Sequence, residues 1–291
     1  MSYTRIFDAT ASRSEPAPAL SPADVREGER YVFDDKDDIE LAVNVALAAS
    51  RPLLVLGSSG QGKSSLAAAV AWRMGWRLLK TIVTARTTAE DLLWQVDAVQ
   101  RLADAQVQQL QKLHHYIVPG PLWWAIAPEQ ARQRGAGDPM LFSSPKPPGC
   151  PSDEPQFDDR RAVVLIDEID KADPDVPNAL LGPLGSWQFE VRPIETEICL
   201  AANLAPQPPL VVITSNDERA LPKAFVRRCI VKTLDDADTA RMEAIAERHF
   251  RDADKTVVGK IAERAAAAKV SPAEMLNAVE ASRKLNLTEG A

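Results

Sequence analysis

Residues 57–64 read Gly-Ser-Ser-Gly-Gln-Gly-Lys-Ser, and this stretch decides the fold. It fits the phosphate-binding loop pattern G-x-x-x-x-G-K-[ST], in which glycines let backbone N–H groups surround phosphate oxygens. The apolar run 51–56 predicts a buried strand before the loop, and the alanine-rich run 65–71 predicts a helix after it. A strand, a glycine turn and a helix N-terminus form the context that such a site requires.

Two side chains of this loop carry the expected chemistry. Lys63 would neutralise the β- and γ-phosphates of a nucleotide, and Ser64 would offer its hydroxyl to Mg²⁺. The nucleotide contacts are expected along the whole loop, from Gly57, Ser58, Ser59, Gly60, Gln61, Gly62, Lys63, Ser64 and Ser65. The simpler alternative is a flexible Gly/Ser turn before an ordinary helix, and the placement of the Lys-Ser pair disfavours it.

Composition limits the class of protein. The 291 residues are 45% hydrophobic and 26% charged, as in a soluble globular protein. A net charge of −7 argues against a broad nucleic-acid surface, although a local basic stripe stays possible. The three scattered cysteines indicate a reducing compartment without a disulfide framework or zinc site. Neither a membrane-spanning apolar run nor a signal peptide is recognisable, so a cytoplasmic location is expected.

Three regions follow from the pattern along the chain. Residues 1–29 are polar and proline-dotted, which predicts a flexible N-terminal tail that is loose or packs on something else. Strand-like runs at 78–83, 162–166, 209–214 and 229–232 alternate with helical patterns, which predicts a parallel α/β nucleotide-binding domain over 30–234. A helical pattern from Asp236 onward predicts a small all-helical lid domain over 235–291.

Additional segments interrupt this domain. An insertion is expected near 91–127, and it begins with a long amphipathic stretch from 91 to about 113. A surface loop is expected over 134–160. The expected apolar contacts of the stretch are Leu92, Leu93, Val96, Val99, Leu102, Val107 and Leu110. Runs at 187–191 and 197–200 predict a hairpin. Core packing is favoured over a partner-facing patch for three tryptophans, Trp94, Trp123 and Trp124.

An acidic pair supplies the second half of the predicted site. Asp167 ends the apolar strand at 162–166 and Glu168 follows it directly. Asp167 would hold Mg²⁺, directly or through water, and Glu168 would act as the general base that polarises the attacking water. The alternative is a strand that simply ends in solvated acids. The preceding phosphate loop and the adjacent Asp-Glu pair disfavour it.

Together, residues 57–64 and 163–168 resemble an AAA+ ATPase. The segment 214–229, Thr-Ser-Asn-Asp-Glu-Arg-Ala-Leu-Pro-Lys-Ala-Phe-Val-Arg-Arg-Cys, narrows the resemblance to the MoxR-like branch, and Asn178-Ala179-Leu180-Leu181 also fits it. The resemblance covers about residues 31–280. It implies binding and hydrolysis of ATP with Mg²⁺.

The resemblance also implies further site residues and an assembly. Asn216 matches the polar residue that contacts the attacking water or the γ-phosphate; the alternative is a turn asparagine. Arg228 matches the arginine finger that reaches a neighbouring subunit's nucleotide, and Arg227 is an alternative residue for this role. The simpler interpretation of Arg228 is an arginine at a helix end that interacts with the helix dipole. A homo-oligomer, first of all a hexameric ring, is therefore implied. Clients in such families often carry a metal-binding adhesion-type domain.

One position departs from the family pattern. An arginine usually follows a Ser-Pro in the lid, but here Ser271-Pro272 precedes Ala273-Glu274, and Arg283 and Lys284 lie about three turns further along. Two functions therefore stay open. The first is a ring ATPase that remodels or assembles a partner protein, with nucleic acid disfavoured as the partner. The second is a nucleotide-dependent assembly switch or scaffold with little turnover, for example in a defence or signalling complex.

Overall fold

The computed structural model describes residues 5–11, 20–34, 38–136, 161–205, 207–251 and 254–285. The α-helices of these residues are α1 (Pro22–Arg30), α2 (Ile39–Ala49), α3 (Lys63–Met74), α4 (Ala89–Leu93), α5 (Ala98–Gln106), α6 (Pro121–Ile126), α7 (Pro128–Arg132), α8 (Asp175–Ala179), α9 (Leu181–Ser186), α10 (Lys223–Val226), α11 (Thr239–His249), α12 (Lys255–Ala267) and α13 (Pro272–Lys284). Their strands are β1 (Leu53–Leu56), β2 (Arg77–Ile82), β3 (Trp94–Val96), β4 (Ile117–Pro119), β5 (Ala162–Asp167), β6 (Gln188–Val191), β7 (Thr196–Cys199), β8 (Leu210–Ser215) and β9 (Ile230–Thr233).

Five strands form one parallel sheet in the order β2-β5-β8-β1-β9. The strand before the phosphate loop, β1, pairs on one side with β8 and on the other with β9. In a parallel sheet, all carboxyl ends meet at one edge, where α/β proteins bind their ligands. The predicted fold class, a parallel α/β sheet of the AAA+ type followed by a helical lid, is confirmed.

The sheet is buried on both faces because its strands are continuous apolar runs. One face packs against α1, α2 and α3, in a core that includes Val55, Leu78, Val163 and Val212. The other face packs against the helices of the insertion, in a core that contains Trp123 and Trp124. Successive strand residues point to opposite faces, so Val163 and Val164 belong to different cores.

The tryptophans are core residues: Trp123 and Trp124 are fully buried and Trp94 is nearly so. The amphipathic stretch after residue 91 differs from the expectation. It is divided into α4, the short strand β3 and α5, and β3 pairs with β4 in a separate two-stranded antiparallel sheet. Leu92 and Leu93 are buried, whereas four expected contacts are exposed, namely Val99, Leu102, Val107 and Leu110. The predicted hairpin of 187–191 and 197–200 is present as β6 and β7.

The described part of the N-terminal region differs from a flexible tail. Residues Pro22–Arg30 form α1, which begins at the N-cap Ser21 and packs along α3. Gly28 allows this close approach, because a Cβ atom there would lie 2.6 Å from Cβ of Trp72. The buried carboxylate of Asp24 pairs with Lys80 of β2. Residues 1–4 and 12–19 of the predicted tail, and 137–160 of the predicted loop, lie outside the described residues.

The helices α11, α12 and α13 form a three-helix unit with a separate core. Buried apolar residues from all three helices fill it, including Met242, Ala246, Val258, Ala262, Met275 and Val279. The start predicted at Ser271-Pro272 coincides with α13, where the Ser271 and Glu274 side chains form a capping box. No helix in the described ranges combines the length and apolar character needed to cross a membrane.

Candidate active site

The phosphate loop connects β1 to α3 with glycines in conformations that other residues avoid. Gly57, Gly60 and Gly62 have φ angles of 148°, 79° and 87°. A Cβ atom on Gly57 would lie 3.0 Å from the carbonyl oxygen of Leu234. The helix begins at Lys63, directly after Gly62, so its unpaired N–H groups face the loop. This geometry fits an anion cradle, as the sequence predicts.

Lys63 is buried within the loop. Its Nζ donates to the carbonyl oxygens of Gly57 (2.8 Å) and Ser58 (2.7 Å) and to Oδ1 of Asn216 (2.7 Å). Burial lowers the pKa of Lys63, whereas the nearby carboxylates, first of all Asp167, oppose this effect. The lysine is therefore fixed at the loop by three oxygen atoms, where phosphate oxygens would be alternative partners.

Ser64 and Asp167 lie against each other, as expected for a shared metal ligand set. The Ser64 hydroxyl donates to Asp167 Oδ1 at 2.7 Å. Buried Thr214 in β8 orients this carboxylate, because its hydroxyl donates to the same Asp167 oxygen at 2.5 Å. Hydroxyl and carboxylate oxygens suit Mg²⁺ in the presence of nucleotide phosphates. The described residues contain no group of three or more His, Cys, Asp or Glu side chains that could hold a metal ion.

Glu168 is held by both its backbone and its side chain. It has a left-handed φ of 60°, and its N–H donates to the Thr214 hydroxyl at 2.9 Å. Asn216 donates from Nδ2 to Glu168 Oε1 at 3.2 Å, and Lys171 donates to Oε2 at 2.7 Å. The hydrogen bond between Lys171 and Glu168 raises the pKa of Lys171. Both carboxylate oxygens therefore have partners within the protein.

The lid lies directly on the phosphate loop. The Ala273 N–H donates to the Gly60 carbonyl at 3.3 Å, and Gln61 Nε2 donates to Asp236 Oδ1 at 3.1 Å. A Cβ atom on Gly60 would lie 2.7 Å from Oγ of Ser271. The small residue Ala273 therefore occupies the place where the family pattern has an arginine.

The two cations further along α13 are engaged elsewhere. The guanidinium of Arg283 lies 5.3 Å from the ring centroid of Phe250, and Lys284 pairs with Glu280 at 2.7 Å. Neither residue lines the cavity at the phosphate loop.

A cavity of about 280 Å³ joins the loop, the acidic pair and the lid. Its wall also contains residues that the sequence did not single out as site residues: Glu27, Arg30, Thr214, Arg241, Ile245, His249 and Leu276. Burial, together with Arg30, lowers the pKa of His249, which favours the neutral imidazole. Arg241 is a lid cation in the cavity wall, and it comes from α11 rather than α13. No local sequence pattern marks it, because its position depends on how the lid docks.

Arg227 and Arg228 do not join this cavity. They are exposed and precede β9, so they lie at the amino edge of the sheet. The phosphate loop follows β1 at the carboxyl edge, and β1 and β9 run parallel. Arg228 lines a different cavity, with Arg51, Trp187 and Phe225, that shares no described residue with the first.

The parallel sheet, the phosphate loop and the acidic pair define a P-loop ATPase of the AAA+ class. Within it, the chain belongs to the AAA domains of the dynein-related subfamily, whose family model matches residues 52–229. This subfamily includes the MoxR-like ATPases, in agreement with the resemblance seen in the sequence. No curated protein sequence matches the chain.

Solved structures of RuvB from Thermotoga maritima resemble the fold. A RuvB mutant superposes with a TM-score of 0.51 at 15% identity, over 87% of this chain and 64% of that one. RuvB described as a Holliday junction branch migration motor gives a TM-score of 0.46 at 14% identity, over 91% of this chain and 62% of that one. The chain thus spans less than two thirds of the length of either structure, and at this identity the likeness concerns the fold alone.

Proposed function

We propose that this chain hydrolyses ATP in a ring oligomer and uses the resulting conformational change to remodel or assemble a partner protein, as MoxR-like chaperones do. The observation that carries the proposal is the separation of the site into two halves. Lys63, Ser64, Asp167, Glu168 and Asn216 meet at the carboxyl edge of the sheet. The remaining predicted catalytic group, Arg228, lies at the amino edge and does not line the nucleotide cavity of its own subunit.

The residues at the carboxyl edge divide the chemistry among them. Lys63 and the loop N–H groups would bind the β- and γ-phosphates, and Asn216 would orient the attacking water or the γ-phosphate. Glu168 would accept a proton from that water. Ser64 and Asp167 would hold Mg²⁺, which supplies positive charge to the phosphate oxygens when bound.

Strand length supports an arginine finger that acts in trans. Both β1 and β9 contain four residues, which corresponds to about 13 Å between the two edges of the sheet at ~3.3 Å per residue. An exposed guanidinium on the edge opposite the nucleotide is suited to complete the site of an adjacent copy. A closed ring, with six copies as the first expectation, arises when this head-to-tail contact repeats.

A dilution series with an inactive variant tests this proposal. ATPase activity per subunit should fall as the protein is diluted to monomer, because each monomer lacks the second half of its site. Glu168→Gln should bind ATP and stay assembled without turnover. A rate per subunit that is constant down to monomer contradicts the trans arrangement, and full turnover by Glu168→Gln removes this residue from the mechanism.

A nucleotide-dependent assembly switch with little turnover is the second candidate. The observations that favour it are the Lys171 and Asn216 contacts, which occupy both oxygens of Glu168, and the presence of Ala273 where a lid arginine is usual. Single-turnover kinetics in the assembled state distinguish the two functions. A remodeller should hydrolyse ATP repeatedly and faster with its client, whereas a switch should assemble with ATP and turn over at a low rate that no partner changes.

The partner is proposed from the resemblance alone. A client with a metal-binding adhesion-type domain is the first expectation, and nucleic acid is disfavoured because the net charge is −7. A cytoplasmic location stays a prediction. Capture with Glu168→Gln in the presence of ATP should retain a client that wild-type protein releases. Equal recovery of every bound protein with ATP and with ADP would argue against a nucleotide-driven cycle.

A further inference from the structure

Arg51 holds the backbone of the segment that carries the proposed arginine finger. Its Nε donates to the carbonyl oxygen of Arg228 at 2.8 Å. Its Nη2 donates to the carbonyl oxygen of Arg227 and, at 3.5 Å, to that of Cys229. One guanidinium therefore contacts three successive carbonyl groups, 176 to 178 residues away in the chain.

These carbonyl groups follow the short helix α10. They lie beyond the last helical residue, Val226, and a backbone carbonyl in a turn takes its donor from a side chain or from water. A guanidinium suits this role because it offers five N–H donors in a rigid planar fork, whereas a lysine offers only a single ammonium group. The buried Cys229 also fixes this turn, since its thiol donates to the Phe225 carbonyl at 3.4 Å. The side chains of Arg227 and Arg228 remain exposed.

The same residue lies two positions before the strand that leads into the phosphate loop. Arg51 and Pro52 come before β1, and the Ile230 N–H donates to the Pro52 carbonyl at 2.8 Å. Leu53 and Ile230 are partners in the parallel pair of β1 and β9. The backbone at Arg228 and the start of β1 are thus joined twice, by the strand pairing and by the Arg51 guanidinium.

We propose that Arg51 is a positioning residue for the finger acting in trans. It fixes the backbone at Arg227 and Arg228, so that the exposed guanidinium of Arg228 is aimed at the nucleotide of the adjacent copy. Through β1, it also links the position of the finger to the phosphate loop of its own subunit. This inference rests on the proposed ring ATPase and adds to it a residue outside both halves of the site.

Mixing of variants separates a positioning role from a merely structural one. Arg51→Ala should lower the ATPase rate by about tenfold or more, because misplacement of a catalytic group by ~1 Å is costly. Its affinity for ATP should change less than about twofold, since its own cavity lacks Arg51. Arg51→Lys should have an intermediate rate. Arg264→Ala removes the same charge from the exposed side of α12 and is the matched control.

The decisive measurement is complementation with Glu168→Gln, which lacks the general base but keeps a correctly held finger. In a mixed ring, an Arg51→Ala subunit keeps its own general base and receives a correctly held finger from a neighbouring Glu168→Gln subunit. ATPase activity should therefore return. Arg228→Ala should be complemented by Glu168→Gln in the same way. The inference is overturned if Arg51→Ala turns over ATP at the wild-type rate. It is also overturned if Arg51→Ala is inactive and mixing with Glu168→Gln does not restore its activity, although the same mixing restores that of Arg228→Ala.

Failure of the proposed function has a different signature. If Arg228→Ala loses activity and mixing with Glu168→Gln restores nothing, the finger does not act in trans, and the role of Arg51 fails together with it. Thermal unfolding of Arg51→Ala identifies a folding defect. In that case, Arg51→Lys provides the same complementation test in a folded protein.

Discussion

Nζ of Lys63 lies 2.7 Å from Oδ1 of Asn216, although 153 residues separate the two in the chain. The phosphate loop thereby contacts the tip of the adjacent strand β8. Asn216 also donates to Glu168 at 3.2 Å, so one amide group joins the phosphate-binding lysine to the proposed general base. An asparagine suits this position because its side chain accepts with one atom and donates with the other.

Replacement of Asn216 by alanine tests this link. We expect kcat to fall at least about tenfold, because the group proposed to orient water or phosphate in the transition state is lost. The affinity for ATP should change less than about threefold, since the loop and Lys63 remain. Asn178→Ala is the matched control, because this exposed asparagine of α8 donates to the Pro174 carbonyl at 3.4 Å and does not line the cavity. Unchanged kcat in Asn216→Ala would remove the residue from the mechanism.

The sheet and the centre of the site could be predicted from the sequence because both are encoded locally. Buried parallel strands are short apolar runs, and β5 and β8 read as such without any tertiary information. The phosphate loop fixes the edge at which ligands bind. Asp167 ends β5 and Asn216 directly follows β8, so parallel pairing brings them to the same edge. The contacts of Ser64 with Asp167 and of Lys63 with Asn216 follow from that arrangement.

Helical periodicity was a poorer guide to the insertion. Val99 and Leu102 have the spacing of a buried helix face, yet they are 81% and 61% exposed, because no other part of the described chain covers the face of α5 on which they lie. Periodicity reports that one face of a helix is apolar but not what packs against it. The antiparallel pairing of β3 with β4 was missed for a related reason: these three-residue strands are too short to show alternation.

The helix α1 was missed because its composition is that of a tail. A signal was nevertheless present: Ser21 at the N-cap, Pro22 at the first helical position and Asp24 in the first turn are a start sequence for a helix. What holds α1 in place could not be inferred locally. Its buried position depends on Trp72 of α3 and on Lys80 of β2, which are distant in the chain.

The contact between α1 and α3 predicts an unusual response to a glycine-to-alanine change. Alanine at position 28 would improve helix propensity by about 1 kcal/mol. Its Cβ atom, however, would lie 2.6 Å from Cβ of Trp72 and 3.1 Å from the Ala68 carbonyl oxygen. We expect Gly28→Ala to lower the free energy of unfolding by about 1–3 kcal/mol, as overpacking does. Chemical denaturation measures this change.

A matched control is available in α9. A Cβ atom on Gly185 would have no other atom within 4 Å, apart from its chain neighbours and its own helix backbone. Gly185→Ala should therefore be neutral or stabilise the protein by up to about 1 kcal/mol. If both variants were equally stable, the tight packing of α1 on α3 would be contradicted.

Arg241 is the lid cation in the wall of the nucleotide cavity. The position after Ser271-Pro272 holds Ala273, and the cations near the end of α13 are engaged outside the cavity. Arg241 is only 7% exposed and belongs to α11, whose N-cap is Asp238. Its charge therefore acts in a confined space, where water screens it little.

We expect Arg241→Ala to weaken ATP binding about tenfold, the effect of losing one hydrogen bond to a charged group. Titration with a fluorescent ATP analogue measures this affinity, and parallel ADP titrations show whether the γ-phosphate is involved. Arg264→Ala, on the exposed side of the same lid, should bind like wild type. A folded Arg241→Ala protein with unchanged affinity for both nucleotides would show that the lid contributes no cation to binding. The phosphate charge would then be left to Lys63 and to the arginine proposed to act from a neighbouring copy.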